Sequence, residues 1–93
     1  MDTLVQELQH EGRLKAPNFA DAMRAVDRAQ FVARDTPPEL VYSDAPLPLG
    51  YGETISAPHM HAACLDLLQQ HLQPGAHVLD VGSGMCYDYY AQE

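Results

Sequence analysis

The chain has 93 residues, which allow one small domain or a part of a larger one. With 13 acidic residues against 5 Lys and Arg its net charge is -8, so it lacks the clustered cations with which proteins bind nucleic acid. It shows no apolar run near the ~18 residues of a membrane span and no secretory signal. Its two cysteines are too few for a disulfide framework or a zinc site. We therefore expect a cytoplasmic protein that binds neither nucleic acid nor membranes.

The first 34 residues predict a helical N-terminal cap. Three apolar residues place a first helix over residues 2–11: Leu4, Val5 and Leu8. Asn18 is a candidate N-cap for a second helix that ends near Arg28 or Ala29. One face of that helix carries Phe19, Met23 and Val26, and we expect Phe31 and Val32 to fold back onto the same core.

Charges of both signs alternate at the end of this region. Three arginines are interleaved with three aspartates: Arg24, Arg28, Arg34, Asp21, Asp27 and Asp35. This alternation is typical of a solvated helix face.

Residues 35–58 form a second segment, which differs in amino-acid composition from the first. Seven prolines and glycines forbid long helices: Pro37, Pro38, Pro46, Pro48, Gly50, Gly52 and Pro58. The apolar side chains among them predict a packed functional loop with a short strand or two. Gly50 and Gly52 either make a turn or let a ligand approach the backbone closely.

Residues 59–93 predict a helix, a strand and a glycine turn. Pro58 suits a first helical turn, and an apolar stripe follows it: Met60, Cys64, Leu65, Leu68 and Leu72. Pro74 and Gly75 end the helix, and Ala76 to Val81 reads as a buried strand that enters the turn at Gly82. This order predicts an α/β fold whose sheet begins as in a Rossmann-like domain.

The run from Thr54 to Ala62 (TISAPHMHA), with the preceding GYG and the following VLDVGSG, resembles the protein-L-isoaspartate O-methyltransferase family. The similarity covers residues 4 to 84. It implies a protein-carboxyl methyltransferase that transfers a methyl group from S-adenosylmethionine to isoaspartyl residues of damaged proteins. It also implies that residues 59–93 begin a Rossmann-like methyltransferase domain that is truncated after its first strand.

The resemblance further implies roles for individual residues. The serine that matches Ser56 is the catalytic residue of the family. The implied cofactor-binding residues are Glu53, Thr54, Ile55, Ser56, His61, Asp80, Gly82, Ser83 and Gly84. A carboxylate is already ionised near neutral pH, so a general base is not needed beside the substrate.

Several of these residues have a structural alternative. Ser56 also suits a cap of the third helix, and Asp80 with its glycines also suits an ordinary turn. His59 and His61 form a His-x-His pair, but no further ligand stands at metal spacing, so a metal site is disfavoured. Cys64 reads as a core residue.

The family pattern stops after Gly84, where Met85 and Cys86 replace a small polar residue and a third glycine. This change predicts a splice, frameshift or truncation product. The alternative function is therefore a non-catalytic fragment that binds a partner through the edge of residues 76–81. A methyltransferase of another substrate class is disfavoured by the run Thr54 to His61, and the sequence predicts no oligomeric state.

Overall fold

The fold, seen in a computed structural model that describes residues 1–81, contains three α-helices and one β-hairpin. The elements are α1 (Asp2–His10), α2 (Pro17–Ala25), β1 (Leu47–Gly50), β2 (Glu53–Ile55) and α3 (Pro58–Leu67). Two short 3-10 turns, Arg28–Gln30 and Pro38–Leu40, lie between α2 and β1. The mixture of helices and strands confirms the predicted α/β class.

The main apolar core lies where α1, α2 and α3 meet. Its buried residues come from all three helices and from the α1–α2 connection: Leu4, Val5, Leu8, Leu14, Ala16, Phe19, Ala20, Met23, Ala62 and Leu65. The predicted faces of α1 and α2 are thus confirmed for Leu4, Val5, Leu8, Phe19 and Met23. Burial of these side chains is the main force that holds such short helices in place, because isolated helices of this length are marginal in water.

The ends of α2 differ from the prediction. The N-cap is Ala16, with no side-chain cap, and Pro17 is the first helical residue; proline suits this position because it has no N–H to leave unpaired. Asn18 therefore lies inside the first turn and is not the cap. The helix ends at Ala25 because Val26 is extended, with φ -109° and ψ 103°.

A second, smaller apolar cluster lies under the hairpin. Leu47 and Ile55 form its buried centre, and four partly buried residues pack against them: Val26, Phe31, Val32 and Leu49. The prediction that Phe31 and Val32 join the helical core is wrong. Once α2 has ended at Ala25, the chain turns through Arg28–Gln30 and carries these side chains to the hairpin.

The hairpin is antiparallel and irregular at its tip. Leu47 pairs with Ile55 and Pro48 with Thr54, but Gly50 pairs with Glu53, so Leu49 is an additional residue in β1. At the tip Gly50, Tyr51 and Gly52 all have positive φ, of 101°, 58° and 76°. Two glycines accept this conformation readily. Gly50 and Gly52 therefore make a turn, the first of the two alternatives, while a close approach of a ligand to their backbone stays a prediction.

The buried face of α3 agrees only in part with the predicted stripe, in which Leu65 is buried and Leu72 is partly buried against the main core. Pro58, His61, Ala62 and Leu65 are buried, whereas Met60, Cys64 and Leu68 are exposed. The prediction assumed a helix that continues to Leu72. The helix ends at Leu67, and Cys64 is an exposed free cysteine and not a core residue.

Residues 76–81 do not form the predicted strand. A strand needs a neighbour for its backbone N–H and C=O groups, and the sheet of the described part contains β1 and β2 alone. Leu79 and Val81 are accordingly 86% and 83% exposed. Within residues 1–81 no helix combines the length and the apolar character that crossing a membrane requires.

Candidate active site

Four predicted site residues, Glu53 to Ser56, lie on β2 and on the bend that joins it to α3. Glu53 and Thr54 are exposed and Ile55 is buried in the second apolar cluster. Ser56 is exposed again, because side chains alternate along an extended chain. Ile55 thus anchors the strand while its neighbours present polar groups to the surface.

Ser56 does not cap α3. The N-cap residue is Ala57, with φ -61° and ψ 147°, and no side chain caps the helix from that position. The main-chain carbonyl of Ser56 instead accepts a hydrogen bond from Nη1 of Arg28 at 3.0 Å. The capping alternative is therefore wrong, and the exposed hydroxyl is available for another role.

Arg28 is the clearest departure from the sequence prediction. It is 0% exposed, although the charge alternation places it on a solvated face. Its Nη2 donates to the carbonyl of Ala45 at 2.8 Å while Nη1 holds Ser56. Because α2 ends before Arg28, the helical spacing that puts Arg24 on the surface does not extend to Arg28. No pattern in the sequence identifies it.

Asp44, which lies before β1, caps the N-terminus of α3. One carboxylate oxygen, Oδ1, accepts from the backbone N–H of His59 at 2.9 Å and lies 2.8 Å from Nδ1 of the same residue. A carboxylate at a helix N-terminus satisfies an otherwise unpaired donor and opposes the helix dipole. Sequence analysis missed Asp44, since the cap comes from 15 positions away.

The two histidines of the His-x-His pair have different surroundings. The His59 side chain is 37% exposed beside Asp44, whereas His61 is 7% exposed and belongs to the buried side of α3. Residues two apart on a helix do not face each other. Among the described residues no three His, Cys, Asp or Glu side chains form a group that could hold a metal ion.

A further polar contact ties the loop before β1 to the end of α2. The Tyr42 hydroxyl donates to Oδ1 of Asp27 at 2.7 Å. This hydrogen bond holds the pKa of the Asp27 carboxyl below its usual value; burial opposes it, and the Ala29 N–H, which donates at 3.0 Å, adds to the lowering. The same bond, with burial, raises the pKa of Tyr42.

The remaining predicted residues are less completely placed. Asp80 is half-buried after the exposed Leu79, and Gly82, Ser83 and Gly84 lie outside the described residues, as do Met85 and Cys86. Glu53, Thr54, Ile55 and Ser56 are consecutive along β2 and the connection to α3, whereas His61 lies on the buried side of α3. This stretch presents one carboxylate and two hydroxyls, of Glu53, Thr54 and Ser56, on exposed residues. Because the Ile55 side chain is buried, a ligand at this position could contact only its backbone.

Comparisons with known proteins give one consistent result. The model of the family "Protein-L-isoaspartate(D-aspartate) O-methyltransferase (PCMT)" matches residues 1–91. Over 86 residues the chain is 50% identical to a protein-L-isoaspartate O-methyltransferase of Triticum aestivum, with 92% of this chain and 36% of the wheat protein covered. It is 48% identical over 84 residues to the Caenorhabditis elegans protein of the same name, covering 90% of this chain and 35% of that protein.

A solved structure agrees with the sequence relatives. It is described as a protein-L-isoaspartate O-methyltransferase from Plasmodium falciparum in complex with S-adenosyl-L-homocysteine, and it matches with a TM-score of 0.83 at 35% identity. The match covers 98% of this chain and 39% of that one. The chain thus spans slightly more than a third of the length of the curated relatives it matches.

Proposed function

The chain belongs to the protein-L-isoaspartate(D-aspartate) O-methyltransferase family, and from this premise we propose that it binds S-adenosylmethionine and directs methyl transfer to the carboxylate of isoaspartyl residues in proteins. The observation that supports this most is the exposed Ser56, fixed through its main chain by the buried Arg28. A helix cap does not need this hydroxyl.

The proposed chemistry requires little from the protein beyond alignment. S-adenosylmethionine supplies an electrophilic methyl group on a sulfonium. The ionised isoaspartyl carboxylate forms the new oxygen–carbon bond as the sulfur–carbon bond breaks, so no proton has to be removed. What remains for the side chains is to hold the nucleophile in line and to exclude water, and such alignment accounts for a large part of many enzymatic rate enhancements.

Ser56 is the proposed catalytic residue. Its hydroxyl can donate to one oxygen of the isoaspartyl carboxylate and leave the other oxygen to attack. The proposed cofactor contacts on the described part are Glu53, Thr54, the backbone of Ile55, and His61. Asp80 is proposed as a further contact, together with Gly82, Ser83 and Gly84 on the sequence pattern alone.

The proposed partners are proteins that carry isoaspartyl residues. Because the two cysteines of the sequence suggest a reducing compartment, we place the activity in the cytoplasm. The proposed division of the chain remains an N-terminal cap (1–34), an active-site loop (35–58) and the start of the methyltransferase domain (59–93).

The exposed apolar residues near position 80 favour a second candidate function. Val78, Leu79 and Val81 are 38%, 86% and 83% exposed, and within residues 1–81 no strand pairs with this segment. Exposed apolar residues with free backbone groups are a template for strand pairing. The alternative is a non-catalytic chain that binds a partner through residues 76–81.

Two experiments on the purified chain separate the candidates. Calorimetric titration with S-adenosylmethionine measures cofactor binding, and circular dichroism on the same sample reports folding. A radiolabelled methyl-transfer assay then compares an isoaspartyl peptide with the same peptide carrying ordinary aspartate. Binding and transfer to the isoaspartyl peptide alone are the expected results. A folded chain that neither binds nor transfers would contradict the proposal and favour the second candidate.

Ser56→Ala tests the proposed catalytic residue. We expect it to lower methyl transfer about tenfold or more, the factor that loss of one hydrogen bond to a charged group produces. Ser43→Ala is the matched control, because the Ser43 hydroxyl already donates a hydrogen bond to the carbonyl of Leu40 at 2.6 Å. Equal rates for the two variants would remove Ser56 from the mechanism.

A further inference from the structure

A buried arginine joins the two ends of the hairpin. Arg28 is fully buried, and its two terminal nitrogens donate to carbonyls at 2.8 Å (Ala45) and 3.0 Å (Ser56). Ala45 lies two residues before β1, and Ser56 directly follows β2. The guanidinium therefore spans the open end of the hairpin, opposite the tip at Gly50 to Gly52.

The residue type matters for this geometry. A guanidinium is planar and holds its donors in a rigid fork, so its two nitrogens reach two acceptors in fixed directions. An ammonium is a compact point charge on a flexible stem and does not reproduce that fork. Burial of a charge costs on the order of several kcal/mol unless its hydrogen bonds are made, so the two carbonyls must remain in place whenever Arg28 stays buried.

An independent contact holds the same two segments together. Asp44, next to Ala45, accepts from the backbone N–H of His59 at 2.9 Å, three residues beyond Ser56. Arg28 thus restrains the carbonyl of Ser56 and Asp44 restrains the first turn of α3. Between these two fixed points the Ser56 backbone has little freedom, and with it the direction of the Cα–Cβ bond.

We propose that Arg28 is a positioning residue for Ser56. By holding the Ser56 carbonyl, its guanidinium sets the direction of the Ser56 Cα–Cβ bond, from which the exposed hydroxyl projects. The value of that direction for methyl transfer rests on the proposed function, whereas the restraint itself is a property of the fold. A misplacement of about 1 Å at a reacting group can cost about 100-fold in rate, so the restraint has a catalytic consequence without contact to substrate.

The restraint can be tested first on the unmodified chain by nuclear magnetic resonance. We expect separate, slowly exchanging signals for the Arg28 guanidinium protons, with correlations to Ala45 and Ser56, and backbone couplings of Ser56 that fit a single pair of φ and ψ angles. One averaged guanidinium signal would overturn the proposal. This measurement needs no variant and is decisive even if the variants fail to fold.

Arg28→Lys and Arg28→Met test the effect on Ser56. We expect the carbonyl carbon shifts of Ala45 and Ser56 to change, the Ser56 backbone couplings to become conformationally averaged, and the His59 amide to exchange about tenfold faster, as the loss of one charge-assisted hydrogen bond predicts. Lysine should not rescue these signals. If only the urea midpoint falls and the Ser56 couplings are unchanged, Arg28 is merely structural and the proposal is wrong.

Arg24 provides the matched control. It also lies near the end of α2 but is ion-paired at the surface with Asp2 at 2.9 Å, its side chain 30% exposed. Arg24→Lys and Arg24→Met should leave the Ser56 signals unchanged, and equal changes in both series would overturn the proposal. Titration of each sample with S-adenosylhomocysteine tests the proposed function separately, because absent binding refutes that function while the Ser56 couplings still decide the role of Arg28.

Discussion

Replacement of Leu65 by alanine should remove much of the stability of this fold. Leu65 is 1% exposed and, with Ala62, carries the contact of α3 with the core formed by α1 and α2. Burial of a leucine side chain contributes about 1.5–3 kcal/mol, and the cavity left by truncation adds to the loss, so that Leu→Ala changes cost about 2–5 kcal/mol. We expect about 3 kcal/mol here, a large share of the roughly 5–14 kcal/mol expected for 93 residues.

Urea unfolding followed by circular dichroism measures this loss. With an m value of about 1.5 kcal/mol/M, a loss of 3 kcal/mol lowers the midpoint by about 2 M. Leu67→Ala is the matched control, because Leu67 lies two positions further on the same helix and is 83% exposed; it should stay within about 0.5 kcal/mol of the unmodified chain. Similar midpoints for the two variants would refute the packing of α3 described above.

Two further predictions concern the polar contacts around the site. Asp44→Ala removes the cap from the backbone N–H of His59 and should cost about 1 kcal/mol, measured by urea unfolding against Asp35→Ala, which changes an exposed aspartate; equal costs would contradict the capping role. Tyr42→Phe removes the hydrogen bond that lowers the pKa of Asp27. A carboxyl whose pKa is lower in the folded chain stabilises the fold above its unfolded pKa of 3.8, and this stabilisation is lost as the pH falls through the folded pKa. The unfolding midpoint of the unmodified chain should therefore exceed that of the variant at pH 6 and approach it as the pH falls below 3.8, and a gap that does not change with pH would count against the Asp27–Tyr42 contact.

The sequence predicts the helical part of the fold well because local pattern and burial agree there. The apolar spacing in α1 and α2 points to the residues that form the core. The helix that begins at Pro58 is also predicted, but its buried face is predicted only in part. Leu65 fits two overlapping helical faces, and the core takes the one that carries His61 and Ala62, so Cys64 and Leu68 remain exposed.

The prediction of the strand at residues 76–81 fails for a different reason. Its apolar composition is typical of a buried parallel strand, but a strand exists only when another pairs with it. The described residues supply no such neighbour, and Leu79 and Val81 remain exposed. Composition therefore predicts that this segment can form a strand, but it does not supply the second strand that must pair with it.

The sequence points to Ser56 in the candidate site but not to the residues that hold its backbone in place. Ser56 stands out through the run in which it lies, whereas Arg28 and Asp44 act across 28 and 15 positions of sequence. Such contacts follow from the paths of the loops, which local spacing does not encode. The family resemblance therefore points to a candidate reacting group, Ser56, but not to the residues that hold its backbone.

The two carbonyls held by Arg28 lie 17 and 28 residues away from it, and this separation bears on the order of folding. Contacts between distant residues require loops to close before they are stabilised, so they form more slowly than local ones. The backbone hydrogen bonds inside α1 and α2 join residues about four positions apart and can form early. The guanidinium becomes fully desolvated only after both segments have arrived, so the hairpin base and the entry to α3 should form together in a late, cooperative step.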